Sequence, residues 1–187
     1  MIPALEHPDI RRRAMPISVE TWHWMQQQDL LPRRAELICG VIVEKMSKSP
    51  KHTGLTDQLR ELLDAWSRKR YWVRKEDPLT LRDSEPEPDV SVVAGQRSDY
   101  ADAHPCTALL VVEVAVTTES ADRELLPSYA AAGVTEVWLV LAAKGKLQRF
   151  TLPVGDAYTE SRLYSTGDTL ESAALPGFAL PLASLFS

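Results

Sequence analysis

Apolar and polar positions follow two periods along this chain, and the periods divide it into elements. Leu55, Leu59, Leu62, Leu63 and Trp66 recur at three- and four-residue spacing, which predicts an amphipathic helix from Ser49-Pro50 through Arg70. Ser49 suits the cap, and Pro50 suits the first helical position, where no amide hydrogen is needed. A shorter helix is predicted from its cap at Ser18 to Gln28, with Trp22 and Met25 on one face. Ser120 to Ala132 also reads as helical. Asp122 and Glu124 lie in its first turn, Gly133 is its stop, and Pro127 must kink it or delay its start.

Between these helices lie short β-branched runs. Glu36 to Met46 reads as strand with Gly40 as a turn or bulge in its middle. Tyr71–Arg74, Leu79–Leu81, Asp89–Val93, Leu109–Val116 and Glu136–Leu141 read as further strands. Leu147–Leu152 and Tyr158–Tyr164 suggest a hairpin or sheet-edge pair, and Gly95 to Thr107 a polar rim loop. The apolar tail from Leu175 to Phe186 is expected to dock on the body. Residues 1–16, with Pro3, Pro8 and Pro16, read as an irregular arm, and residues 17–187 as a single domain. The order of elements predicts an α/β fold bordering on α+β, with a mixed sheet flanked by helices.

Composition adds little, because 44% hydrophobic and 25% charged residues describe an ordinary globular chain. No apolar run approaches the ~20 residues of a membrane helix. Arg11, Arg12 and Arg13 are followed by no apolar stretch, so no secretory signal is expected and a cytoplasmic location is. Cys39 and Cys106 lack paired spacing and are expected to be buried free thiols. Charge is more informative. The net value is −5, but residues 1–75 carry 14 Lys/Arg against 9 Asp/Glu, and the remainder 7 against 17. A basic front and an acidic back suit a phosphate-backbone substrate held over acids, or else charges scattered over solvated faces.

The candidate chemistry lies in two acids within the apolar runs. Glu113 interrupts Leu109–Val116, and Asp89 heads Asp89–Val93. Burying an unpartnered carboxylate costs several kcal/mol, roughly, so such groups are paired or bind a metal. Oxygen ligands favour Mg²⁺, Mn²⁺ or Ca²⁺, and no His/Cys cluster competes. A structural ion pair is the alternative for Glu113. Glu36 is a third acid at a strand start, and His52 lies in the first turn of the long helix; alone, each reads more simply as structural or solvent-facing.

The motifs Ala35-Glu36-Leu37-Ile38-Cys39-Gly40, Ser49-Pro50-Lys51-His52 and Glu85-Pro86-Glu87-Pro88-Asp89-Val90 resemble the Uma-type family of restriction endonucleases. Leu110-Val111-Val112-Glu113-Val114, Tyr129-Ala130-Ala131-Ala132-Gly133-Val134, Glu136-Val137-Trp138-Leu139-Val140 and the tail continue the resemblance in order, from about residue 17 to the end. The resemblance implies a PD-(D/E)XK nuclease core and a metal-dependent DNA endonuclease, with dimerisation plausible. It implies Mg²⁺ or Mn²⁺ on Asp89, Glu113 and the Val114 carbonyl, with Glu36 and His52 as active-site neighbours.

One position departs from this pattern. The superfamily lysine stands two residues after the glutamate, here Ala115, or in the Uma-type family on the following helix, where Leu125 stands. Arg123 is the nearest cation to that place, able to act electrostatically but not to lose its proton. Lys45 on the first strand pair is the first lysine to consider as a substitute, with a solvent-facing strand residue as the simpler reading. Three readings therefore stay open: a metal-dependent nuclease that is slow or impaired, a degenerate nuclease fold that binds nucleic acid or protein, and a non-nuclease α/β domain whose acids are structural.

Overall fold

The computed structural model describes residues 8–45, 47–68, 70–117 and 119–186, without the side chains of residues 10–12. The N-terminal arm is not wholly irregular. Pro8–Arg13 forms α1, because proline at a first helical position forfeits no hydrogen bond; Pro3 lies outside the described residues. α2 (Val19–Gln27) follows the Ser18 cap, whose Oγ accepts from the Thr21 amide at 3.1 Å, and buries Trp22.

β1 (Ala35–Ile38) and β2 (Val41–Glu44) form a separate antiparallel hairpin. Cys39 and Gly40 turn the chain at φ 49° and 75°, the two left-handed conformations of a tight hairpin turn. Gly40 is required for a second reason: a Cβ there would lie 2.3 Å from the Pro16 Cβ. α3 (Pro50–Ser67) begins where the cap predicts but stops at Arg68, in the left-handed conformation, short of Arg70. Leu55, Leu59 and Leu63 are buried, while Leu62 is exposed at the stripe's margin.

The body is one six-stranded sheet: β3 (Trp72–Lys75), β4 (Val90–Val93), β5 (Leu110–Ala115), β6 (Glu136–Leu141), β7 (Lys146–Val154) and β8 (Ala157–Ser165), in that order. All neighbours run antiparallel except β5 and β6, which are parallel. A parallel pair needs a crossover. The predicted helix at 120–132 supplies it as two pieces, α4 (Glu119–Glu124) and α5 (Leu126–Ala131), broken ahead of Pro127.

One sheet face packs under α3 and the tail, with Val90, Val92, Val112 and Val114 against Leu59, Phe178 and Leu182. The other packs Val111, Ala115 and Leu139 against Leu125 and Tyr129 of the crossover. The tail docks as expected, adding a small β9 (Thr169–Glu171) and β10 (Ala179–Pro181) pair and a final turn, α6 (Leu182–Leu185).

Two expectations are corrected. Leu79–Leu81 is buried but is not a strand; its amides bond to loop carbonyls of Pro86, Pro105 and Ser84, and Pro86 and Pro88 deny it a ladder partner. Cys39 and Cys106 are exposed free thiols, because a hairpin turn and a rim loop carry them clear of the core. No helix among the described residues is long and apolar enough to cross a membrane.

Candidate active site

The strand register creates the site. Val90 pairs with Val112 and Ser91 with Val111, so one step further along the same register Asp89 falls opposite Glu113. Side chains alternate along a strand. Val112 and Val114 face α3, and Val111 and Ala115 face the crossover, so Glu113 points toward the crossover. There the Tyr129 hydroxyl of α5 donates to Glu113 Oε1 at 2.6 Å. Two carboxylates in directly opposed strand positions repel one another. Burial and the Asp89 charge together push the Glu113 carboxyl well above its usual range.

The two acids differ in how they are satisfied. Asp89 Oδ1 accepts from Lys48 Nζ at 2.8 Å, and Oδ2 accepts from His52 Nε2 at 3.0 Å and the Val114 amide at 2.8 Å. Burial pushes Asp89 up, but the His52 hydrogen bond and the Lys48 charge outweigh it and hold the carboxyl below its usual value. Among the described residues, Glu113 Oε2 has only the Asp89 amide, at a long 3.4 Å. Two other buried acids are satisfied differently. Glu136 accepts from Trp138 Nε1, Ser172 Oγ and the Ala174 amide at 2.6–2.8 Å, and Glu85 from Trp22, His23 and Thr80 at 2.6–3.0 Å. Those are saturated structural acceptors. Glu113 is the one left with a poorly satisfied oxygen beside a like charge.

Helix α3 and the loop before it deliver His52 and Lys48. The Ser49 cap accepts from the His52 amide at 3.3 Å and fixes the first turn, which sets His52 over Asp89. Lys48 also reaches Glu76 Oε1 at 3.2 Å. Its burial is outweighed by the Asp89 charge and hydrogen bond, so its ammonium is held above its usual pKa.

Glu36 lies beside this group rather than in it. Lys45 pairs with Glu87 and lies 3.9 Å from Glu36. Burial pushes the Glu36 carboxyl up, against the charge of Lys45. Glu36 is close enough to influence Tyr129 electrostatically, as are Glu113 and Asp89. Val114 contributes its amide to Asp89.

Arg123 is placed elsewhere. Its guanidinium bonds Glu119 at 3.0 Å and Gln148 at 2.6 Å and lies over the Phe150 ring. Leu125 is buried in the apolar cluster, so a lysine there would have replaced a core residue. Lys48 and Tyr129 are the partners that sequence reasoning missed. Tyr129 was visible only as part of a motif, and nothing local distinguishes Lys48 from a solvated loop lysine.

Among the described residues, no group of three or more His, Cys, Asp or Glu side chains is arranged to hold a metal ion. Two opposed carboxylates do suit Mg²⁺, which takes one or two protein carboxylates and keeps the rest of its shell for water and phosphate. The under-satisfied Glu113 oxygen beside Asp89 is the position where a cation would remove the repulsion.

A crystal structure of a putative nuclease belonging to DUF820 from Anabaena variabilis has the same fold. The TM-score is 0.73, with 16% identity over 91% of this chain and 98% of that one. No curated protein matches the chain. The family model described as Uma2, putative restriction endonuclease, matches residues 24–183, which takes in the hairpin, α3, the opposed acids and the whole sheet. The chain therefore belongs to the Uma2 family of nuclease-like proteins.

Proposed function

We propose that this protein is a divalent-metal-dependent endonuclease that hydrolyses phosphodiester bonds in DNA. The observation that carries the reading is the buried Asp89–Glu113 pair, opposed across β4 and β5 with Lys48 and His52 on the same carboxylate. Asp89 and Glu113 would hold Mg²⁺ or Mn²⁺, with the Val114 carbonyl completing the protein ligands. When bound, such an ion lowers the pKa of its water and stabilises the departing oxygen.

The chain's own residues supply the rest. Lys48 replaces the lysine missing from the crossover. Its ammonium, 2.8 Å from Asp89 Oδ1, would stand beside a phosphate held over the two acids and offset the negative charge that develops on a non-bridging oxygen. His52 keeps Asp89 oriented through Oδ2. Tyr129 fixes the Glu113 carboxylate by donating to Oε1. Glu36 and Lys45 form the flank of the pocket. Arg123, occupied by Glu119 and Gln148, stands apart from this group.

The test is cleavage of supercoiled plasmid with Mg²⁺ or Mn²⁺, alongside calorimetric Mn²⁺ binding, for the wild type, Asp89→Asn and Glu113→Gln. Metal-dependent nicking that both substitutions abolish supports the reading. Metal binding without cleavage by the wild type makes the domain a degenerate nuclease that binds nucleic acid or protein, the outcome Leu125 favours. Absence of both binding and cleavage removes the metal-site reading altogether.

A further inference from the structure

The six-stranded sheet ends differently at its two edges. At one edge, β3 is four residues long and carries Arg74 and Lys75, the short and basic form that discourages edge pairing. At the other, β8 is nine residues long, contains no proline or lysine, and is exposed from Thr159 through Leu163. Its hairpin also displays Leu152, Val154 and Leu163, each about half exposed or more.

The charges on this edge find no opposite charge among the described residues. Arg162 stands directly opposite Arg149 of β7, a like-charge cross-strand pair. Both guanidinium groups lie over the Tyr164 ring, at 4.7 and 5.6 Å from its centroid, and Arg149 donates to the Glu171 carbonyl. Glu160 stands opposite Thr151. Among the described residues, Glu160, Arg149 and Arg162 form no salt bridge.

We propose that β8 pairs antiparallel with β8 of a second copy of this chain, about a two-fold axis through Ser161. The strand is self-complementary in that register and not in its neighbours. Centred on Ser161, Glu160 lies opposite the partner copy's Arg162 and the reverse, so two ion pairs form and each Arg149–Arg162 pair gains a carboxylate beside it. Centring on Glu160 or Arg162 sets like charges opposite each other. Odd shifts put residues of opposite sheet faces together. The same pairing lays Leu163 against the partner copy's Thr159. It would join two six-stranded sheets into one and close as an isologous dimer, leaving no free β8 edge.

The proposal is independent of metal binding or catalysis and is tested by mass in solution. Sedimentation velocity and light scattering on the full chain at tens of micromolar should give a particle of twice 20.9 kDa. Glu160→Arg alone and Arg162→Glu alone should each sediment as monomers, since each sets like charges opposite one another. The double variant should recover the dimer. So should an equimolar mixture of the two single variants, whose strands are complementary only to each other. Thermal melts of the exposed single variants check that the fold is kept, and recovery on mixing can come only from folded chains. A monomeric wild type overturns the proposal. So do single variants that dimerise like the wild type, or variants that neither the double substitution nor mixing rescues.

Discussion

Replacing Glu113 with glutamine should make the metal-free protein more stable at alkaline pH while removing its response to metal. Gln keeps the size of Glu113 and still offers an oxygen to the Tyr129 hydroxyl, but it removes the charge opposed to Asp89. A like-charge pair about 5 Å apart at an effective dielectric of about 20 repels by roughly 3 kcal/mol. Lys48 and His52 already offset part of this from the Asp89 side, so a net gain of about 1–2 kcal/mol is expected.

The sign of the pH dependence follows from linkage. The folded-state pKa of Glu113 is raised above its ordinary value of 4.5 by burial and by Asp89. Above that value the native state retains a proton that the unfolded chain has lost. Wild-type stability therefore falls as pH rises from the ordinary value through the raised one. The variant has no such titration, so its advantage should be small at about pH 5 and larger at about pH 8. For a domain of this size, 1 kcal/mol moves Tm by roughly 2–4 °C. Urea and thermal melts at the two pH values, with and without Mn²⁺, provide the assay. At a hundred times its dissociation constant, Mn²⁺ should stabilise the wild type by about 2.7 kcal/mol and the variant by little. A variant less stable than wild type by about 1 kcal/mol at the higher pH would refute the repulsion argument. Full Mn²⁺ stabilisation of the variant would refute Glu113 as a ligand.

Further consequences concern single side chains. Lys48→Met should lower plasmid cleavage by about 100-fold or more while leaving Mn²⁺ affinity unchanged or tighter, because Asp89 Oδ1 is freed; parallel loss of binding and stability would make Lys48 only a structural partner. Glu136→Ala strands the buried Trp138 donor and two half-buried ones, from Ser172 and Ala174, and should cost about 2–3 kcal/mol in urea unfolding. A loss under about 1 kcal/mol would mean the tail does not depend on that anchor. Gly40→Ala, at φ 75° and against Pro16, should destabilise by about 1–3 kcal/mol, and unchanged melting would contradict the tight turn.

Local pattern was enough for the elements. The apolar stripe and Ser49-Pro50 cap located α3, and β-branched runs located β4, β5 and β6, because these signals depend only on residues a few positions apart. The acids at 89 and 113 were legible for the same reason: each interrupts an apolar run. The ordered motifs carried the family, and with it the fold.

What the sequence could not state is which groups meet. Asp89 opposes Glu113 through the hydrogen-bond register of two strands, and Lys48 reaches Asp89 only because α3 packs across the sheet. Glu85 and Glu136 are as buried as the pair, yet donors from α2 reach the first and donors from the tail reach the second, and these make them structural. Arg123, near the family's lysine position, turns to Glu119 and Gln148, and Leu79–Leu81 loses its strand character to the prolines that follow it. Periodicity fixes which face a residue takes on its own element. The partner across that face is set by long-range packing, and it decides whether a buried charge is neutralised, saturated or left for a metal.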